Sequence, residues 1–216
     1  MVIGITINNI LRDHITQLKR VYHTVTDETA IEPINPFDLE TSFPNKQSTE
    51  IVQEFKVDSG DTFSEELTLN ELDETFNVYD FIYKEASFEI FGRSEESIDG
   101  LIRMLKEWEK KWKVKFVLLN KESPRSKCAT LFFLSKNGFD LDTIYFPTKD
   151  KDFWLNVDVL ITDNPKILKC KPKDKTSIKI INDFNLDIKS DFSIIKLDNN
   201  TKEIKNIIKT IKEKIK

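Results

Sequence analysis

The chain opens on a short, largely apolar run at residues 2–7, in which Val2, Ile3, Ile5 and Ile7 give the composition of a buried strand. Beyond Asn8 and Asn9 the apolar positions change spacing, and Ile10, Leu11, Ile15, Leu18, Val21 and Tyr22 recur at helical intervals. The opening therefore reads strand, turn, helix. Asn8 or Asn9 is the expected N-cap, and Asp13 suits the positive end of the helix dipole.

From residue 26 to 77 this regularity breaks. Pro33, Pro36 and Pro44 interrupt it, and a strongly acidic stretch follows with Glu50, Glu54, Asp58, Asp61, Glu65 and Glu66. The pattern predicts an acidic cap inserted into a core made of residues 1–25 and 78–216, with residues 51–57 and 62–69 pairing as its strands. A helix is expected from Val78 through Phe81, Ile82, Ala86, Phe88 and Phe91 to a stop at Gly92. A second begins at a Ser94 cap and carries Ile98, Leu101, Ile102, Leu105, Trp108 and Trp112 on one face.

Residues 115–119 then read as a strand ending at Asn120, and Pro124 opens another helix. Further strand candidates lie at residues 143–146, 157–161, 177–181 and 192–195. The alternation predicts an α/β fold with a largely parallel central sheet. The final segment, 201–216, sets Ile204, Ile207, Ile208, Ile211 and Ile215 on one helical stripe, with lysines opposite and toward the C-terminus.

Composition narrows the picture. With 216 residues, 39% apolar and 32% charged, the chain suits one compact domain with an insertion. A net charge of -4 removes the global basic footprint of a nucleic-acid binder, which leaves nucleic acid unsupported as a partner. Cys128 and Cys170 form no metal spacing and read as reduced, partly buried thiols. The chain shows neither a basic leader nor a membrane-length apolar run, so no membrane association is expected and the cytoplasm, a host's included, is the expected location. His14 and His23, nine positions apart, fall on nearly opposite helix faces and do not form a pair.

In an open parallel sheet, ligands sit beyond the carboxyl ends of the strands. The residues there are Thr6 to Asn9, Asn120, Lys149 or Lys151, and Thr162 with Asp163. Their order and chemistry resemble the haloacid dehalogenase (HAD) superfamily, and in particular its capped nucleotidase-like phosphatases. The resemblance implies a three-layer Rossmann-like sheet with helices on both faces and an inserted cap. In that family the first strand ends in an Asp-x-Asp motif, one carboxylate attacking phosphorus and the other serving as acid and base. Thr6 and Asn8 occupy those places here, with Asn9 where the family favours Gly. Asn120 stands at the phosphate-binding hydroxyl, Lys149 and Lys151 are the candidates for the phosphate-balancing lysine, and Asp163 is retained from the acidic pair that helps hold magnesium.

Magnesium depends on hard oxygen ligands, so one carboxylate among neutral groups implies a weak metal site and a catalytically inactive protein without a cofactor. The segment from Asp158 through Lys175 to Ile180 is similar to segments of such proteins from tailed bacteriophages. That likeness implies a structural or binding component of a virion, at its neck or tail. Its partners would be other virion proteins or further copies of the chain, the basic run Lys166, Lys169, Lys171, Lys173 and Lys175 meeting the acidic cap of a neighbour. The alternative is a magnesium-dependent nucleotide phosphatase with a non-standard site, in which Asp13 or Asp158 enters. The turn also suits an ordinary strand-to-helix corner without a ligand.

Overall fold

The computed structural model describes residues 1–43, 77–139, 143–197 and 201–215. The two cap strands expected at 51–57 and 62–69 lie outside the described residues. All six strands expected elsewhere are present: β1 Val2–Thr6, β2 Lys115–Leu119, β3 Ile144–Tyr145, β4 Val159–Thr162, β5 Thr176–Ile180 and β6 Phe192–Ile194. They form one sheet in the order β3-β2-β1-β4-β5-β6, and each neighbouring pair is parallel. The chain builds outward from β1 to β3, then returns to the other side of β1 to lay down β4. This reversal of direction opens a crevice at the carboxyl ends of β1 and β4.

Alternation along the strands makes the sheet two-sided. Ile3, Ile5, Phe116, Leu118, Val159 and Ile161 join one apolar cluster, completed by helices α3 (Leu101–Trp112) and α6 (Thr201–Ile215). Trp108 and Trp112, stacked with ring centroids 4.5 Å apart, belong to that core, as their helical spacing predicts. On the other face Val117, Leu119 and Leu160 meet Phe153, Trp154 and Ile167, from the 3-10 turn Asp150–Trp154 and helix α5 (Pro165–Lys169). Three layers of an α/β fold result. Gly4, in the middle of β1, is needed for this packing: a Cβ there would lie 2.6 Å from Leu119 Cδ1 and 2.9 Å from Leu160 Cδ1.

A second apolar cluster stands apart from the sheet. It gathers Leu18, Val21 and Tyr22 of α1 (His14–Thr26), Leu39 and Phe43, and Val78, Ile82, Ile90 and Phe91. The helix expected over 78–92 is one turn of α2 (Val78–Asp80) continued by two π-helical segments, Phe81–Glu85 and Phe88–Gly92. Ala86 N–H reaches back five residues to Phe81 O and Arg93 N–H to Phe88 O, which widens each turn. Helix α4 (Pro124–Lys136) adds Ala129 to this cluster and Phe133 and Leu134 to the sheet's core.

Three local expectations are corrected. Helix α1 begins at His14, capped by Asp13, whose carboxylate accepts from Thr16 N; neither Asn8 nor Asn9 is its cap. Helix α3 begins at Leu101, and the Glu96 carboxylate accepts from Gly100 N and Ile102 N, while the Ser94 hydroxyl bonds Ile90 O. Cys128 and Cys170 are free and exposed instead of partly buried. Among the described residues, no helix is long and apolar enough to cross a membrane.

Candidate functional site

The backbone after β1 tightens before it becomes a helix. Leu11 N and Arg12 N both donate to Ile7 O, and Asn9 N donates to Arg12 O. The loop closes through Asn9, whose φ of 65° is left-handed, a conformation Asn tolerates better than most residues. Ile10 and Leu11 are buried, so the loop is anchored from below by the core. Asn8 and Asn9 are thereby presented at the carboxyl end of the central strand.

A cleft of about 640 Å³ lies over this end of the sheet. Thr6, Asn8 and Asn9 from β1, Asn120 after β2, and Asp163 after β4 all line it. The sequence-predicted residues at three strand ends are therefore brought together. Lys149 and Lys151 are exposed and are not among the described residues lining the cleft; Lys121 and Lys166 supply positive charge there instead. Phe37, Tyr79, Tyr83 and Phe91 add aromatic rings to its lining.

The hydrogen bonds decide what each group can do. Thr6 Oγ1 donates to Thr162 Oγ1 at 3.2 Å, so its proton is directed at a hydroxyl and not at a carboxylate. Asn8 Oδ1 accepts from Arg12 Nε at 3.1 Å, from Arg12 Nη2, and from Asn120 Nδ2 at 3.3 Å. Asn120 Nδ2 also donates to Glu122 Oε1, which commits its amide to protein partners. Asn9 Nδ2 donates to Asp163 Oδ2 at 3.0 Å. Asn185, fully buried, donates to the Asp163 carbonyl oxygen at 2.7 Å and to Ile180 O at 2.8 Å, tying the loop after β5 to the end of β4.

Two buried charges at the site do not follow from the family-like motifs. The Arg12 guanidinium is fully buried, lies 4.5 Å from the Phe91 ring centroid and donates to Glu122 Oε1 at 3.0 Å. Thr130 Oγ1 donates to the same Glu122 oxygen at 2.6 Å and accepts from Arg12 Nη1 at 2.7 Å. Burial lowers the Arg12 pKa, and the Glu122 charge works against that shift. Arg12 carries a signal in the sequence, as a charged residue placed among Ile10, Leu11 and Ile15 in an apolar run. Glu122 had none beyond lying two residues past Asn120.

Asp163 is the other buried carboxylate. Burial raises its pKa to about 7, against the pull of the Asn9 amide and of its own backbone N–H. His14 lines the cleft as a neutral ring, because burial and then the Arg12 charge push its pKa down to about 3. His23 is exposed in the last turn of α1. Asp13 is spent on its cap, and Asp158 Oδ2 accepts from Val2 N at 2.7 Å at the opposite edge of the sheet. Neither reaches the turn.

Magnesium, which the resemblance implies, meets an unsuitable set of donors here. Among the described residues, no three His, Cys, Asp or Glu side chains gather closely enough to hold a metal ion. Asn8 offers its oxygen to a guanidinium, whose positive charge opposes a divalent cation, and Asp163 Oδ2 is taken by an amide. The residues do not fit such an ion.

No protein-family model and no curated protein matches the chain. Among solved structures, it is similar to a HAD hydrolase of family IA, variant 3, from Entamoeba histolytica HM-1:IMSS. The TM-score is 0.55 at 17% identity, over 98% of this chain and 99% of the other. The expectation of a chain that is not an enzyme is corrected by this neighbour, which is itself named a hydrolase. The expected virion, neck and tail role gains no support from it. The chain has the six-stranded, Rossmann-like α/β fold of a HAD hydrolase.

Proposed function

We propose that the chain is a hydrolase of phosphate monoesters whose site departs from the family's usual pattern. The observation that carries the reading is the cleft itself: residues from the ends of three adjacent strands converge there beside the buried carboxyl of Asp163. Lys166, exposed and lining the cleft, favours an anionic ligand, while Lys121 lies 3.7 Å from Asp150. The structural neighbour, itself a hydrolase, supports the same class.

In this reading the nucleophile is water. Thr6 lacks a base to take its proton, whereas Asp163, with a pKa of about 7, exchanges a proton near neutrality. Asp163 takes one proton from the attacking water as the new P–O bond forms. The ester P–O bond breaks, its electron pair leaves with the alcohol oxygen, which takes a proton from solvent on the far side of phosphorus, and Asp163 returns its proton to solvent. The Asn9 amide holds the carboxylate, and Asn185 fixes the backbone behind it.

A panel of small phosphate monoesters tests this. The purified chain is expected to release inorganic phosphate in the presence of a metal chelator, with kcat/KM rising as pH rises through about 7. Asp163→Asn is expected to lower turnover by about 100-fold or more while the circular dichroism is unchanged. Full activity in that variant, or no hydrolysis of any monoester by the native chain, would sink the proposal.

A further inference from the structure

We infer that Lys179, outside the cleft, is a positioning residue for the hydrolysis: its buried ammonium holds the loop after β5, and through Asn185 that loop holds Asp163. This rests on the hydrolase reading above. Lys179 lies in β5 in register with Thr162, the residue before Asp163, and is 5% exposed. Its Nζ donates to Asn185 O at 3.0 Å and to Ile188 O at 2.7 Å. No carboxylate among the described residues pairs with it. A buried ammonium without a counter-ion is costly, and an uncharged side chain of similar volume would fill the place at less expense to stability. The two carbonyls it gathers account for its presence.

Those carbonyls belong to two consecutive turns. Asn185 N donates to Asn182 O and Ile188 N to Asn185 O, so the ammonium clamps the second turn at both ends. Asn182 N donates to Asn185 Oδ1, which aims the other end of that amide. Nδ2 then reaches across to Asp163 O and Ile180 O, bridging the ends of β4 and β5. The peptide unit that follows Asp163 is held from both sides, its carbonyl by Asn185 and its N–H, on Asn164, by Thr162 Oγ1 at 3.2 Å. Fixing that plane fixes where the Asp163 side chain departs from the backbone, and a misplaced acid–base group costs rate far more than binding.

The experiment compares the native chain with Lys179→Met on p-nitrophenyl phosphate, together with amide hydrogen exchange. The variant is expected to lower kcat about tenfold or more while KM stays within about twofold. Exchange is expected to quicken at Ile188 and at Asn164, and to keep its native protection inside β4 and β5. A native kcat in the variant, a rise in KM that carries the whole loss, or faster exchange that stops at Ile188 overturns this role and leaves the hydrolase reading standing. A native chain inactive toward every monoester sinks that reading and this role with it. Should Lys179→Met not fold, Asn185→Ala decides, since it keeps the two carbonyls and cuts the link to Asp163. It is expected to show the same fall in kcat at unchanged KM, and native kcat there overturns the inference.

Discussion

Two buried carboxyl groups lie on either side of β1, one after β2 and one after β4, and they differ in what faces them. Glu122 has a guanidinium and two further donors on a single oxygen. Asp163 has the neutral amide of Asn9. Both side chains are buried, and the partners that face them differ in charge. Glu122 is held as one half of an internal ion pair, while Asp163 is poised to gain or lose a proton near pH 7. One group belongs to the scaffold of the site, and the other is available for chemistry.

The most severe way to break this contrast is to strip Glu122 of its cation. Arg12→Ala leaves a buried charge unpaired and is expected to cost about 3–5 kcal/mol of unfolding free energy, measured by urea denaturation. A loss within the error of the measurement would mean that the pair is not buried in solution.

Asp163 should behave in the opposite sense. Its pKa is raised in the folded state, so its contribution to stability is fully present below the ordinary carboxylate range and is lost as pH rises through about 7. Asp163→Asn is therefore expected to be more stable than the native chain at pH 8 to 9, by up to about 4 kcal/mol, and equal to it near pH 3. Parallel stability curves for the two proteins across that window would refute the shifted carboxyl.

The smallest effect sharpens the comparison from the Glu122 side. Thr130→Val removes one donor from Oε1 and one acceptor from Arg12 Nη1, and keeps both charges of the pair. It is expected to cost about 1–2 kcal/mol, read from the thermal midpoint. A cost matching that of Arg12→Ala would mean that the hydroxyl, not the charge, holds the carboxylate.

Much of the architecture was legible because strands buried on both faces must be apolar. Runs such as Val117, Leu118 and Leu119 announce themselves, and the residues just past them mark the cleft. What the sequence hid was set by contacts between distant segments. Asn8 and Asn9 read as a helix cap because cap and turn residues are the same types, and only the bonds from Leu11 and Arg12 to Ile7 O show a closed loop before Asp13. Glu96 was an unremarked carboxylate until the fold laid it against Gly100 N and Ile102 N. Arg12 and Glu122 are 110 positions apart, and no local periodicity pairs them.

Gly4 offers one more consequence. The side chains that would collide with a methyl group at this position include Leu119, immediately before Asn120, and Leu160, three residues before Asp163, together with Val157. An alanine there would act as a wedge under both banks of the cleft, pushing on the two strands whose ends carry its amide and its acid. The missing side chain thus sets the gauge of the site from inside the sheet, two residues below Thr6.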